Sequence, residues 1–250
     1  MKLILNLLMI LTALNITFSK AESALIIVTD IGKQGSLFEV LAEEALKSKG
    51  VPITQIKYQP LKRAFHTLKT GYADLMIGVY YAPEREHSFL YSTPYTETEI
   101  SYIGMANQDI CYSSPEDLQS YNIGVVKGGS LSFSEVTGVQ SDNFKGVIRT
   151  EQNLKKLIAG RIDLFIENKY EVSALINNQH PELKDKLVFL DPPIWTVEIY
   201  AISAKSNPDH EAIINTFNSG IQTIKQNGLH GEIVNRFESD YLETVTRRCP

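Results

Sequence analysis

The sequence predicts an α/β protein with two lobes, each a mostly parallel sheet flanked by helices. The first observation is a strand–helix–strand–helix–strand succession over residues 24–80, which is typical of a parallel sheet covered by helices. The second is a phrase that recurs 89 residues later in the chain. The third is a pair of apolar strands, at 99–106 and 195–203, that favour two connections between the lobes.

The first lobe begins with alternating strands and helices. The run "ALIIVTD" (24–30) is short, apolar and rich in β-branched residues, which indicates a buried parallel strand. The segment 36–50 predicts a helix, with Ser36 and Glu39 as a capping box and Gly50 at its end. A strand, a helix that opens with Pro and closes with Gly, and a further strand are predicted at 53–58, 60–71 and 73–80.

The recurring phrase is Leu-x-x-Gly-x-x-Asp-Leu-x-Ile, and its two copies indicate a second lobe of similar build. They are "LKTGYADLMI" (68–77) and "LIAGRIDLFI" (157–166), and each predicts a helix end, a glycine cap and a strand. The stretch "YNIGVVKGGS" (121–130) predicts the opening strand and turn of this lobe.

The last part of the chain predicts a return to the first lobe. A strand at 195–203 precedes an amphipathic helix at 210–228 and a short helix around Phe237. Two lobes joined by two strands leave a cleft between them. Ligands bind where the carboxyl ends of parallel strands face such a cleft.

The N-terminus is typical of a secretory signal peptide at 1–21, with an early lysine, an apolar run and small residues before a cut after Ala21. A membrane anchor is the alternative, but polar residues interrupt a run that is short for a bilayer span. Cleavage removes Lys2 and Lys20, which leaves 22 basic against 29 acidic side chains. We therefore expect an acidic periplasmic protein, which disfavours nucleic acid and anionic lipid as partners.

The two cysteines, Cys111 and Cys249, favour a disulfide in an oxidising compartment, with two unpaired thiols as the alternative. The five histidines are scattered and lack metal-ligand spacing, so no metal site is predicted. No phosphate loop or nucleophile elbow is found. The sequence therefore predicts no cofactor and no catalytic residue.

Three stretches of the chain carry a resemblance to a known family: "LKTGYADLMIGVYYAPEREHSFLYSTPY", "SSPEDLQSYNIGVVKGGS" and "LIAGRIDLFIEN". In this order they resemble the bacterial extracellular solute-binding proteins of family 3, the periplasmic receptors of polar amino-acid ABC importers. The resemblance implies a two-lobed periplasmic-binding-protein fold (type II) with two hinge strands. It divides the chain into the signal peptide, a first lobe at 22–105 and 200–250, and a second lobe at 106–199.

The resemblance also implies that Arg85, in "PER", takes the carboxylate of the ligand. A guanidinium is always charged and meets a carboxylate with two parallel hydrogen bonds. The residues alone leave another interpretation open, in which Arg85 pairs with Glu84 or Glu86 at the surface. Across the cleft, the resemblance implies Ser130 as a second contact to the carboxylate, with Lys127 as a weaker candidate.

Other contacts are implied at the ends of the first-lobe strands, by Asp30 and by the neighbouring pair Tyr80 and Tyr81. From the residues alone, Asp30 could instead cap the next turn, and the tyrosines could simply pack the lobe. The chain departs from the family pattern at Asn168, where an aspartate usually binds the ligand's amino group. A neutral amide cannot pair with an ammonium, so either Glu167 beside it takes this role or the ligand is not an ordinary α-amino acid.

Two further departures concern the first lobe. The loop "IGKQGS" after the first strand lacks the aromatic residue that usually covers the ligand. The second helix begins with "PLKR", so Arg63 is either a second cation in the cleft or a solvated helix residue.

The function implied is capture of a polar amino acid or related small carboxylate by a monomer that delivers it to the membrane subunits of an ABC importer. Two alternatives stay open. One is a soluble sensor for a membrane signalling receptor. The other is an enzyme similar to cyclohexadienyl dehydratases, for which Glu167 and Asp30 are the candidate catalytic groups.

Overall fold

Apolar and β-branched runs form the strands of the chain, and amphipathic stretches between them form its helices. A computed structural model describes residues 24–127, 141–242 and 245–248. The described strands are β1 (Leu25–Asp30), β2 (Ile53–Gln59), β3 (Leu75–Tyr80), β4 (Phe89–Tyr91), β5 (Thr96–Met105), β6 (Ile123–Val126), β7 (Phe144–Val147), β8 (Leu164–Asn168), β9 (Leu187–Asp191), β10 (Trp195–Ala204) and β11 (Val245–Arg248). The described α-helices are α1 (Leu37–Lys47), α2 (Leu61–Lys69), α3 (Thr150–Ile158), α4 (Lys169–Gln179), α5 (His210–Gln226) and α6 (Leu229–Leu242).

The strands follow the order β2-β1-β3-β10-β5-β8-β6-β7. Strands β1, β2 and β3 are parallel, and so are β6, β7 and β8. Between these two groups run the long antiparallel strands β10 and β5. The predicted α/β fold of two lobes joined by two hinge strands is therefore confirmed.

The two hinge strands pair with each other over their middle sections, with Trp195 opposite Ile100 and Ile199 opposite Thr96. Beyond this shared section each strand enters a different sheet. Strand β10 continues into the first lobe beside β3, and β5 continues into the second lobe beside β8.

The repeated phrase performs the same task in both lobes. Asp74 donates its backbone N–H to the carbonyl of Ile26 at 2.8 Å and accepts the N–H of Ile26 on its carboxylate at 2.8 Å. Asp163 makes the same exchange with Asn122, at 2.9 and 2.8 Å. Each aspartate thus aligns two neighbouring parallel strands.

The glycine of the phrase ends the helix that precedes each aspartate. Gly71 has a φ of +76° and Gly160 a φ of +63°. This left-handed conformation favours glycine because it lacks a Cβ, and it is the usual way to end a helix.

The predicted capping box of α1 is not formed. Ser36 stands at the N-cap position but makes no side-chain capping bond. Glu39 instead accepts the backbone N–H of Gly35 at 3.1 Å and the hydroxyl of Tyr58 at 2.6 Å. The hydroxyl on β2 competes for the carboxylate, and this partner is invisible in the local sequence pattern.

The end of the chain crosses to the second lobe. Helix α5 packs on the first lobe so closely that a Cβ on Gly220 would lie 2.2 Å from the carbonyl oxygen of Ala45. Strand β11 nevertheless pairs in parallel with β9, with Arg248 opposite Asp191. The lobe boundaries at 105/106 and 199/200 stay a prediction, and the signal peptide at 1–21 lies outside the described residues.

No described helix is both long enough and apolar enough to cross a membrane.

The predicted disulfide would join two regions that the fold brings close together. Cys111 precedes Tyr112, whose hydroxyl donates to the carbonyl of Pro192, next to the end of β9. Strand β11 ends beside Asp191, one residue before Cys249. Cys249 lies outside the described residues, so the pairing stays a prediction.

We expect Cys111→Ser to lower the free energy of unfolding by about 2–5 kcal/mol, because a disulfide here closes a loop of about 139 residues. Urea denaturation measures this loss. Cys249→Ser should match it, and the double variant should lose no more than either single one. Two reactive thiols in the unfolded, unreduced wild type would contradict the pairing.

Candidate functional site

Three strands from the two lobes end at one place. Strand β1 ends with Asp30, β3 with Tyr80 and β8 with Asn168. Because the carboxyl ends of parallel strands face the cleft, their last side chains meet there. That these three residues contact a ligand stays a prediction.

Asn168 uses its amide to hold this meeting point together. Its Oδ1 accepts the backbone N–H groups of Tyr170 and Glu171, at 2.9 and 3.4 Å, and thereby caps α4. The same oxygen accepts the hydroxyl of Thr98 at 3.0 Å, and Nδ2 donates to the hydroxyl of Tyr80 at 3.2 Å. Asn168 is fully buried and positions its neighbours across the cleft.

Glu167 lies beside Asn168 and offers the carboxylate that Asn168 lacks. Its Oε2 accepts the hydroxyl of Thr150 at 2.6 Å, and its Oε1 accepts the backbone N–H of Asn168 at 3.0 Å. Burial and the nearby charge of Glu171 raise the pKa of Glu167 to about 8. A cation bound close to this carboxyl group would lower its pKa and favour the ionised form.

Lys33 and Glu171 form an ion pair that joins the two lobes. Lys33 follows β1 in the first lobe, whereas Glu171 lies in the first turn of α4 in the second. Both side chains are almost completely buried. Burial alone would lower the pKa of Lys33, but the nearby Glu171 raises it well above its usual range, so the ammonium stays charged.

Asp30 adds a third carboxylate on the first-lobe side. One of its oxygens, Oδ1, accepts the backbone N–H of Gly32 at 2.9 Å, as expected if the residue caps the next turn. The other, Oδ2, is buried and has no hydrogen-bond partner among the described residues. Capping of the next turn thus uses Oδ1 of Asp30 and leaves Oδ2 unused.

The beginning of α4 is inserted into the first lobe. The ring of Tyr170 is 6.0 Å from that of Phe38, in an edge-to-face arrangement, and belongs to the core of the first lobe. Lys169 pairs with Glu238 of α6 at 3.0 Å, and the hydroxyl of Tyr170 donates to the same carboxylate. This insertion fixes the position of Asn168 and Glu171 relative to the first lobe.

Tyr81 lies apart from Tyr80, in an aromatic group on the first lobe. Its ring centroid is 5.3 Å from that of Tyr91 and 6.1 Å from that of Tyr200. Its hydroxyl donates to Glu86 at 2.8 Å.

Arg85 lies next to this aromatic group. Its guanidinium stacks on the ring of Phe65, 4.2 Å from the ring centroid, and it also hydrogen-bonds Tyr91. Within the described chain, Arg85 forms no ion pair with Glu84 or Glu86. Its partners, an aromatic ring and a tyrosine hydroxyl, leave the positive charge available to an anion.

A small cavity lies next to the aromatic group. It has a volume of about 200 Å³ and is lined by Tyr80, Tyr81, Val197, Glu198 and Tyr200. Tyr80 also contacts Asn168, and Tyr81 and Tyr200 also contact Tyr91, the neighbour of Arg85. A larger cavity of about 510 Å³ lies near Lys169 and Glu238, but none of the predicted ligand residues lines it.

The remaining predicted residues lie elsewhere. Arg63 is exposed on α2, and Lys127 is exposed after β6, where its side chain passes over Gly146. Ser130 lies outside the described residues. Their roles in ligand binding stay predictions.

Sequence reasoning missed Lys33, Thr150 and Glu171, which complete the cluster. Lys33 stands in the loop that was noted only for its missing aromatic residue. Gly78 leaves room for this buried side chain. Its φ is +71°, and a Cβ at this position would lie 2.4 Å from Cδ of Lys33. A glycine in the middle of an apolar strand was the one available signal.

We expect the free energy of unfolding to depend on Glu167 between pH 5 and 8. Since folding raises its pKa from 4.5 to about 8, the folded state binds more protons than the unfolded state in this range. The contribution of Glu167 is therefore greatest below about pH 4.5 and is lost as the pH rises to 8. Glu167→Gln should flatten the decline, as measured by urea denaturation at each pH.

The control is Glu151→Gln, which removes a carboxylate paired with Lys155 on the surface of α3. The pKa of Glu151 is lowered by Lys155, so this group titrates below the range and should leave the slope unchanged. Equal slopes for wild type and Glu167→Gln would show that Glu167 is already ionised at pH 5.

Comparison with known proteins begins with a family model, that of the bacterial extracellular solute-binding proteins of family 3, which matches residues 32–240. No curated protein matches the chain by sequence at a significant level. Solved structures match it in fold. One is the substrate-binding protein of an amino acid ABC transporter, with a TM-score of 0.67 and 19% identity over 86% of this chain and 99% of the other.

Two further structures are similar at the same level. An amino acid ABC transporter substrate-binding protein from Streptococcus pneumoniae, solved with bound L-arginine, has a TM-score of 0.69 and 19% identity over 86% of this chain and 94% of its own. A histidine kinase sensor domain has a TM-score of 0.70 and 12% identity over 86% and 96% of the respective chains. Since the family model spans most of its length, the chain belongs to the bacterial extracellular solute-binding proteins of family 3.

Proposed function

We propose that the chain captures a small ligand with both a cationic and a carboxylate group, such as an amino acid, and delivers it to an ABC importer. The observation that supports this most is the buried cluster at the strand ends. It sets the buried carboxylates of Asp30 and Glu171 and the partly buried carboxyl group of Glu167 against one ammonium, that of Lys33. A buried excess of carboxylates is costly without a cation, so the cluster favours a ligand that brings one.

The carboxylate of the ligand is assigned to Arg85. The guanidinium has a ring and a hydroxyl as partners, those of Phe65 and Tyr91, and the ring of Tyr91 packs on that of Tyr81, which lines the small cavity. Each charged hydrogen bond contributes about 1.5–3 kcal/mol, whereas micromolar affinity needs about 8 kcal/mol. Arg85 therefore acts together with the acidic cluster, and the pair of opposite charges selects a zwitterion.

The similar structures support an amino acid as the ligand and a transporter as the partner. Two of them are substrate-binding proteins of amino acid ABC transporters, and one of these was solved with L-arginine. Membership of an extracellular solute-binding family is in keeping with the periplasmic location and the signal peptide at 1–21.

A sensor role is the second candidate. A histidine kinase sensor domain shares the fold over 86% of this chain. Loss of uptake of the ligand after deletion of the gene would support transport, whereas unchanged uptake with a lost transcriptional response would support sensing.

An enzymatic role is favoured by one observation, the pKa of Glu167 at about 8. A general acid or base works best when its pKa lies near the operating pH. Recovery of the ligand chemically unchanged after long incubation with the protein would argue against this role, and conversion of the ligand would support it.

We expect one or a few amino acids, in a thermal melting screen that includes dicarboxylates, to stabilise the mature protein. A ligand at 100 times its dissociation constant stabilises the folded state by about 2.7 kcal/mol. Arg85→Ala should weaken binding of this ligand at least about tenfold, because it removes charged hydrogen bonds to the carboxylate.

The matched control is Arg236→Ala. Arg236 is also an arginine over a phenylalanine, 5.4 Å from the ring centroid of Phe237, but it lies on α6 outside the cleft. This variant should bind like the wild type. If Arg85→Ala also binds like the wild type, Arg85 is not the carboxylate anchor.

A further inference from the structure

The ammonium group of Lys33 lies in an enclosure built by both lobes. Lys33 is only 5% exposed, and its Nζ pairs with the carboxylate of Glu171. The same nitrogen lies 5.5 Å from the ring centroid of Phe38 and 5.6 Å from that of Tyr80. Two aromatic rings and a carboxylate are the groups that bind free ammonium compounds in proteins.

The stem of Lys33 follows a path that the fold keeps open. A Cβ on Gly78 would lie 2.4 Å from Cδ of Lys33 and 2.8 Å from its Cε, so no larger residue fits at this place in β3. The backbone N–H of Gly78 is held by the hydroxyl of Tyr95 at 3.1 Å. The lysine therefore occupies a shaped channel, and its position is not a chance surface contact.

Asp30 supplies a second carboxylate to this enclosure, in addition to that of Glu171. Asp30 is 8% exposed, and its Oδ2 has no hydrogen-bond partner among the described residues. The charge of Asp30 acts on the ammonium of Lys33, and that of Glu171 acts on Glu167. The acidic groups thus belong to one electrostatic unit, centred where the Lys33 ammonium lies.

Only one ammonium fits between the rings at a time. Both ring centroids lie within 6 Å of the same nitrogen, so a second ammonium would have to replace the first. Lys33 and Glu171 belong to different lobes, so separating the lobes breaks their pair and exposes the carboxylates to solvent. On closure, an ammonium from the ligand and that of Lys33 compete for one place.

We propose that Lys33 is an internal occupant of a primary-ammonium site formed by Phe38, Tyr80, Glu171 and Asp30, and that the ligand's amino group displaces it during capture. This inference rests on the proposed function for the identity of the ligand, but the site itself is a property of the protein alone. Lys33 is then a specificity-determining residue. A ligand without an ammonium group cannot replace it and leaves the ion pair with Glu171 in place.

The test removes the Lys33 side chain and supplies a free ammonium compound in its place. Lys33→Ala removes Cγ, Cδ, Cε and the ammonium from the channel, and n-butylammonium supplies this chain and charge with one further methylene. We expect n-butylammonium to raise the melting temperature of Lys33→Ala, with a half-saturating concentration at least about tenfold lower than for the wild type. Butyrate, of similar size and opposite charge, should stabilise neither protein.

Two control variants narrow the result. Lys47→Ala removes an exposed lysine, paired with Glu44 on α1, and should respond to n-butylammonium like the wild type. The double variant Lys33→Ala/Glu171→Gln keeps the channel but removes the carboxylate, and it should lose most of the response.

The outcomes are decisive in either direction. Equal responses of Lys33→Ala and wild type to n-butylammonium, or an equal response to butyrate, would overturn the proposal. If Lys33→Ala is unfolded in buffer, refolding by n-butylammonium but not by butyrate supports the proposal, and refolding by neither overturns it. Because n-butylammonium is not an amino acid, this result does not depend on whether the amino acid screen finds a ligand.

Discussion

The structure depends on the insertion of one helix end into the opposite lobe. Four consecutive residues, Asn168 to Glu171, each contact a different residue of the first lobe: a hydrogen bond to Tyr80, an ion pair with Glu238, an aromatic contact with Phe38 and an ion pair with Lys33. Because they follow one another at the start of α4, they move as one rigid unit. The first turn of α4 therefore links the lobes in addition to the paired hinge strands β5 and β10.

The same insertion explains why the cleft is acidic. The amide oxygen of Asn168 caps α4 and accepts the hydroxyl of Thr98, which holds the helix end in place. Recognition of charge is therefore left to the neighbours of Asn168. Glu167 on one side and Glu171 on the other then bring two carboxyl groups to the same place, and the charge of Glu171 raises the cost of ionising Glu167. Lys33 relieves part of this cost. A ligand with its own ammonium would take over this role when it displaces the ammonium of Lys33.

Much of the fold could be predicted because it depends on local patterns. The repeated aspartates Asp74 and Asp163 stand next to glycine caps, and their roles repeat with the phrase. The site was predicted less completely. The role of Lys33 depends on Gly78 and on Glu171, 138 residues away, and such a contact leaves no mark in the adjacent sequence. Arg85 and Asn168 were found through the family resemblance, which does not report what their side chains contact here.

The return of the chain's end to the second lobe has a mechanical consequence. Helix α6 ends at Leu242 and strand β11 begins at Val245, so three peptide steps, at most about 11 Å, connect an element of one lobe to the sheet of the other. Any swing that carries β9 away from α6 must stop when this length is used up or detach β11 from its neighbour. With β11 paired to β9, this link holds the end of α6 within about 11 Å of the start of β11 in the second-lobe sheet.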